Sequence, residues 1–284
     1  MPRFALVIAV VAVSFAAPFI RLAEPASALT VASGRVGLAA LLLNVIAPYA
    51  LRRFWALPPR ERWLVVGAGV CLGVHFGVWI TSLYYTSTAS SVTLVAVQPV
   101  FAAVLGRWFL GDAVGVREGV GISIALAGTA VIAGTDWGVS VRALAGDGMA
   151  LAGAALAAAY YIIGRRMRDG MDLLPYLAVV NLVAAVVLFA AAGVADAKFV
   201  GFDWQVYAAI AAAAVVCSML GHTLLNWSVR RSPAHLVTLA ILGEPVGAAL
   251  LAWALVSEQP PWAAAIGGAI ILAGIGVGFS KRSR

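Results

Sequence analysis

The chain has 284 residues, of which 63% are hydrophobic and only 11% charged, with a formal net charge of +7 and a pI near 9.9. Soluble domains average about 45–50% apolar and about 25% charged residues, and an apolar excess of this size does not fit inside one water-soluble core. Disordered, collagen-like and disulfide-framed chains are excluded; nucleic acid is rejected as the partner of the positive charge, because the basic residues cluster at the ends of apolar runs, where they orient helices in a bilayer.

A helix crosses the hydrocarbon core with roughly 20 apolar residues. In chain order the sequence predicts ten such spans, at 4–22, 27–50, 63–83, 89–108, 115–134, 148–164, 174–193, 205–227, 234–257 and 263–280. The connections are short and hold most of the charges, so 1–284 is expected to form a single membrane domain. The first run shares features with a cleavable secretory signal, since Arg3 precedes it and Ala26-Ser27-Ala28 fits the small-x-small cleavage pattern. Arg21 and Glu24 interrupt that region and the run is long for a signal core, so the helix is expected to stay. With the N-terminus in the cytoplasm, the inner segments hold Arg3, Arg52, Arg53, Arg60, Arg62, Arg107, Arg117, Arg165, Arg166, Arg168, Arg230, Arg231, Lys281, Arg282 and Arg284, against Arg21, Arg142 and Lys198 outside. This bias predicts both termini inside, in a multi-pass protein of the cell inner membrane. Cys71 and Cys217 lie within apolar segments and read as small core residues rather than a disulfide pair.

The chain repeats itself at an offset of 146 residues: Gln98-Pro99-Val100 falls on Glu244-Pro245-Val246, and Asp112 on Glu258. Gly121, Ile124, Leu126, Ala127, Gly128 and Val131 meet identical residues at Gly267, Ile270, Leu272, Ala273, Gly274 and Val277, Cys71 meets Cys217, and Arg35 meets Asn181. The halves, 1–138 and 147–284, carry five spans each. An odd number makes the second half enter from the opposite side of the membrane, which predicts two inverted five-helix repeats around a central cavity, a recurrent transporter design.

Three features carry a family resemblance: Arg35 within Ser33-Gly34-Arg35-Val36-Gly37-Leu38-Ala39-Ala40, the Tyr85-Thr86-Ser87-Thr88-Ala89-Ser90-Ser91 turn, and the two Pro-Val segments followed by Asp112 and Glu258. On these the chain resembles the EamA-type ten-helix branch of the drug/metabolite transporter superfamily over nearly its whole length. The resemblance implies two five-helix repeats, cytoplasmic termini and export of small metabolites, amino acids among them. Gln98, Arg107 and Asp112 depart from the usual pattern, and Gln98 is the departure that bears on selectivity.

Charges inside spans cost about 2.5–3.5 kcal/mol on insertion scales and usually face a bundle interior or watery cavity. Glu244, near the middle of the ninth span, reads as a partner for a substrate ammonium or a proton carrier, or as a structural charge paired with Arg35 or an imidazole. Arg35 reads as a carboxylate ligand or as a side chain snorkelling outward. Pro99 and Pro245 lack a backbone donor and leave the carbonyls of Val95 and Ile241 unpaired, which makes them hinges or static kinks and gives Gln98 a carbonyl to bond. His75 and Trp79 share a face of the third span with Cys71 and Ser82, while His222 and Asn226 share one of the eighth with Ser218. These two stripes suggest opposite walls of a cavity, with interhelical hydrogen bonding as the plainer alternative. Tyr84 and Tyr85 end the third span as a gate or an interfacial belt, and one residue of the pair Tyr160 and Tyr161 faces the cavity. The spacings Gly115/Gly119 and Gly274/Gly278 permit close packing of the fifth and tenth spans.

The expected protein is a secondary transporter that exports small metabolites by alternating access at a midplane cavity. Aromatic walls favour apolar or aromatic amino acids, a preference drawn from composition and the resemblance. The expected lining is Arg35, His75, Trp79, Tyr85, Gln98, His222, Asn226 and Glu244, with hinges at Pro99 and Pro245. A passive channel or a multidrug or cation–proton antiporter is the alternative. An intramembrane enzyme lacks the paired carboxylates or metal spacing it needs. No cofactor is expected, because the Gly274-Ile275-Gly276-Val277-Gly278 run has no strand before it. The expected partners are a small-molecule substrate and the lipid bilayer, with the chain a monomer or weak homodimer.

Overall fold

A computed structural model describes residues 2–133, 140–167, 169–256 and 262–280. Glu258, and the basic residues Arg168, Lys281, Arg282 and Arg284 counted above, lie outside the described residues. Everything regular among the described residues is helical.

Among the described residues eight helices are long and apolar enough to cross a membrane: α1 (Phe4–Leu22), α2 (Ala28–Ile46), α3 (Pro59–Ser82), α4 (Ser90–Leu110), α6 (Val141–Arg166), α7 (Leu173–Val194), α8 (Trp204–Val229) and α9 (Ala234–Leu255). Between and after them run α5 (Val116–Ala133) and α10 (Trp262–Gly278), which are shorter. Helix α2 stops at Ile46, earlier than the predicted end at Ala50, and a separate short helix follows at Ala50–Trp55. Pro48 explains the stop, because its ring disfavours helical backbone at the residue before it. Helix α3 begins a turn earlier than predicted, with Pro59 in its first turn, where a missing N–H costs nothing. Ser27, read in the sequence as part of a cleavage pattern, is instead the N-cap of α2: its side chain accepts from the backbone N–H of Thr30 at 3.2 Å.

Two helices break at equivalent places. Helix α4 is interrupted between Val95 and Gln98, and α9 between Ile241 and Glu244. Each gap lies just ahead of its proline, as expected for a residue that donates no helical bond and clashes with the preceding turn. Helix α8 widens into a π-helix over Ala213–His222.

The helices pack as α2 on α7, α4 on α9 and α5 on α10, with α3 on α6 and α1 on α8. The α5–α10 contact is backbone to backbone: a Cβ on Gly128 would lie 2.6 Å from the Gly267 carbonyl oxygen, and one on Gly121 would lie 2.7 Å from that of Gly274. The sequence reading chose Gly115 and Gly119 for this role. Gly119 meets nothing within 4 Å and Gly115 meets only its own Glu118, so the contact is carried by Gly121 and Gly128, whose side of α5 faces α10.

Polar contacts group the connections at two ends. At one end Arg21 Nε donates to Thr88 Oγ1 (2.8 Å), Arg142 Nη2 to the Tyr84 carbonyl (3.0 Å) and Thr30 Oγ1 to the Lys198 carbonyl (2.8 Å). At the other, Arg165 pairs with Asp112 at 3.0 Å, His235 Nε2 donates to Glu118 Oε2 at 2.9 Å and Arg53 reaches Asp172 at 4.0 Å. Trp63, Trp108, Trp204 and Trp262 are exposed near helix ends, as in the aromatic belts of membrane proteins. The polarity of the bundle is thus inverted relative to a soluble protein: apolar side chains point outward and polar ones are sealed within.

Candidate functional site

Between the two broken helices lies a narrow internal chamber. It is lined by Arg35 of α2, His75 and Trp79 of α3, Gln98 of α4, Tyr161 of α6, His222 of α8 and Glu244 of α9, with Val13, Ala16, Val95, Leu225 and Ile241 as apolar wall. Its cavity volume is about 20 Å³, about what one water needs, so a metabolite can enter only if the walls separate.

Arg35 is the most deeply placed charge, with no solvent exposure. Burial settles the choice left open by the sequence: the side chain runs inward and does not snorkel. Its Nε donates to Ser218 Oγ at 3.0 Å, its guanidinium carbon lies 4.4 Å from the centre of the Phe76 ring, and Nη1 has no hydrogen-bond partner. The anchor comes from α8, so both halves of the chain hold this cation. No ion pair joins Arg35 to Glu244, although Glu244 lines the same chamber and is 6% exposed. The arrangement is a fixed positive group with an open donor and a separate carboxylate, both kept from water. A buried charge without a carboxylate partner is costly, and a ligand of opposite charge relieves that cost.

The third helix supplies two aromatic groups. His75 Nδ1 donates to the Gly153 carbonyl at 2.8 Å, which leaves Nε2 as an acceptor in the neutral ring. Its ring stacks on Trp79 with an interplanar angle of 6°. Trp79 Nε1 is buried without a partner, as is Gln98 Oε1. The chamber presents open donors from Arg35 and Trp79 beside open acceptors from Gln98 and Glu244. His222 meets Phe76 edge-on with ring centres 5.2 Å apart, and Tyr161 Oη lies 3.5 Å from His222 Nδ1.

Two predicted lining residues are elsewhere. Tyr85 is 40% exposed at one end of the bundle, beneath Arg142, whose guanidinium carbon is 5.2 Å from its ring centre. The third helix ends at Ser82, and the turn after it carries Tyr85 out of the stripe's register. Asn226 lies one turn beyond His222 and faces α6, donating to Tyr160 Oη at 2.7 Å. Tyr161 settles the open phase of the tyrosine pair, because it lines the chamber while Tyr160 turns to Asn226. Sequence reasoning missed the grip of Ser218 on Arg35 and of Gly153 on His75. The Ser218 stripe was visible, but its partner is 183 positions away. A larger cavity of about 570 Å³ lies between α1, α9 and α10, yet its lining is apolar apart from Ser14. Val7, Val11, Leu250 and Leu272 on it are exposed, so it reads as a bilayer-facing groove.

A many-helix apolar bundle around a polar chamber defines a polytopic membrane protein. The chain belongs to the EamA-like transporter family, whose model matches residues 3–134 and again 144–279, placing it in the drug/metabolite transporter superfamily. It is 25% identical over 240 residues to an uncharacterized transporter of Archaeoglobus fulgidus, covering 81% of this chain and 82% of that one. A crystal structure of a protein at 18% identity superposes with a TM-score of 0.78 over 98% of this chain and 96% of the other, which speaks for the fold alone.

Proposed function

We propose that the protein exports small zwitterionic metabolites, amino acids with apolar or aromatic side chains first among them, across the cell inner membrane. The observation that carries this reading is the chamber itself: Arg35 and Glu244 line one cavity without pairing with each other. Arg35 and Trp79 Nε1 suit a carboxylate, Glu244 and Gln98 Oε1 suit an ammonium group, and the His75–Trp79 stack with Phe76 suits an apolar side chain.

Transport proceeds by alternating access between two inverted five-helix repeats, with α5 and α10 as the remaining crossings of a ten-span bundle. The reciprocal contacts support this: Gly121 meets Gly274 while Gly128 meets Gly267, so positions equivalent in the two halves exchange partners, as about a two-fold axis. The end of α1 shares one end of the bundle with the α3–α4 turn, and the end of α6 shares the other with Asp112, so equivalent helices run in opposite directions. Both termini lie inside, and the breaks before Pro99 and Pro245 serve as hinges. Tyr85 gates the outer mouth.

The test is counterflow of radiolabelled L-phenylalanine in proteoliposomes, with other amino acids as competitors. Saturable exchange supports the reading; no saturable flux for any amino acid removes the assignment, and a strictly linear flux makes the protein a pore. Glu244→Gln assayed with and without a pH gradient decides the coupling. If Glu244 carries the proton, the variant loses the pH response of the wild type; a variant that keeps it in full shows that Glu244 is not the carrier.

A further inference from the structure

Beyond the chamber, α8 continues as a polar seam. Ser218, His222, Asn226 and Arg230 follow one another at steps of four, a spacing that keeps them near one face of a helix. Ser218 grips Arg35 in the chamber, and Arg230 stands at the end of the helix, roughly 18 Å further along. The far end of this seam is built unlike a surface arginine. Arg230 is tethered by Nη1 to the Met171 carbonyl at 2.7 Å, and its guanidinium carbon lies 5.1 Å from the centre of the Tyr176 ring. The opposite edge of the guanidinium, Nε and Nη2, is buried and has no hydrogen-bond partner. These two N–H groups form the parallel fork that matches the two oxygens of a carboxylate. Two more buried polar atoms lack partners close by, Tyr176 Oη and Asn226 Oδ1. Both crowd Gly164, where a Cβ would stand only 3.2 Å from Tyr176 Oη and 3.3 Å from Asn226 Oδ1. Tyr176 and Asn226 are 0% and 2% exposed. Buried polar groups in native proteins are nearly always satisfied, so a cluster of this kind points to a polar occupant.

We propose that Arg230, with Tyr176 and Asn226 beside Gly164, forms a second binding site, separate from the chamber, that takes the carboxylate group of a small organic acid. The Arg230 fork receives the two carboxylate oxygens and the Tyr176 hydroxyl donates to one of them, while Asn226 Oδ1, an acceptor whose N–H groups are given to Tyr160 and His222, meets a donor elsewhere on the acid. The site lies at the end of the bundle where Arg53 reaches Asp172 and Arg165 pairs with Asp112. In the proposed orientation this is the cytoplasmic end, so the site holds an anionic group on its way to Arg35. That purpose rests on the transporter reading; the chemistry of the site does not, and the experiment reads binding without transport.

The purified full-length protein is treated with phenylglyoxal, which modifies accessible guanidinium groups, and the rate at Arg230 is followed by peptide mass spectrometry. Benzoate is the probe and benzyl alcohol, which lacks the carboxylate, is the control. Benzoate at ten times its dissociation constant slows modification of Arg230 about tenfold by occupancy alone, in the wild type and equally in Arg35→Gln. Benzyl alcohol does not slow it. Tyr176→Phe and Gly164→Ala weaken the protection. The proposal is overturned if Arg230 does not react at all, if benzoate leaves its rate unchanged, if benzyl alcohol protects as well as benzoate, if protection vanishes in Arg35→Gln, or if it is undiminished in both Tyr176→Phe and Gly164→Ala. A silent amino-acid flux assay beside intact protection discards the chamber reading and leaves this site standing.

Discussion

Arg35 decides the chemistry of the chamber at the scale of single residues. Its guanidinium is held by Ser218 and by the Phe76 ring rather than by a carboxylate. Hydrogen bonds to charged groups contribute about 1.5–3 kcal/mol. Arg35→Gln is therefore expected to raise the KM for a carboxylate substrate about ten- to a hundredfold, without lowering Tm, because it removes a buried charge that has no direct ion-pair partner. Flux kinetics and thermal unfolding on the same preparation check this; a lower Tm with an unchanged KM would make Arg35 a structural residue. The sequence made most of this site legible. Arg35, His75, Trp79, Gln98, His222 and Glu244 were chosen by polarity in apolar runs, and the structure brings all of them to one cavity. Tyr85 and Asn226 were misplaced for a physical reason: α3 ends before Tyr85, and Asn226, one turn beyond His222, has left the depth of the chamber and stands against Tyr160 of α6.

Individual helices owe their shape to proline and glycine. Pro245→Ala restores a backbone donor to α9 and favours an unbroken helix. The expected outcome is an unchanged or higher Tm with slower counterflow, since the break before it lines the chamber through Ile241 and Glu244. Unchanged counterflow would make the break a static kink. The α5–α10 contact gives a paired prediction. Gly128→Leu drives a side chain into the Gly267 carbonyl and costs several kcal/mol, on the order of the large values seen for overpacking. Gly119→Leu meets open space and leaves Tm where it was. Equal shifts for the two would refute the packing described. The sequence exposed the small residues of both helices but not which of them touch, because glycines on opposite sides of a helix look alike until a partner selects one side.

For the whole molecule the decisive question is which way each half runs. In a background where Cys71 and Cys217 are replaced by alanine, a cysteine at Asp196 is expected to react with a membrane-impermeant maleimide on intact cells. One at Arg60 is expected to react only after permeabilisation. Asp196 lies in the α7–α8 connection and Arg60 in the first turn of α3, just after the α2–α3 connection that the 146-residue offset makes equivalent to it. Labelling of both from the same side would end the inverted arrangement. The same geometry explains the narrow chamber: contacts at each end, Arg142 to Tyr84 and Arg165 to Asp112, tie connections of the first half to α6 of the second. In the proposed alternating access, opening either mouth breaks one set while the other holds.

The sequence by itself determined that this is a helical membrane protein, that its halves echo one another, and which polar residues are too costly to lie in lipid. Those are statements about composition and period, and each residue carries them locally. Only the tertiary structure decided that Arg35 is held by Ser218 instead of Glu244, that Tyr161 rather than Tyr160 lines the chamber, and that the fork of Arg230 stands open beside Tyr176. These outcomes depend on which faces of distant helices meet, and helix rotation is set by packing between segments 59 to 183 residues apart, which no local pattern encodes.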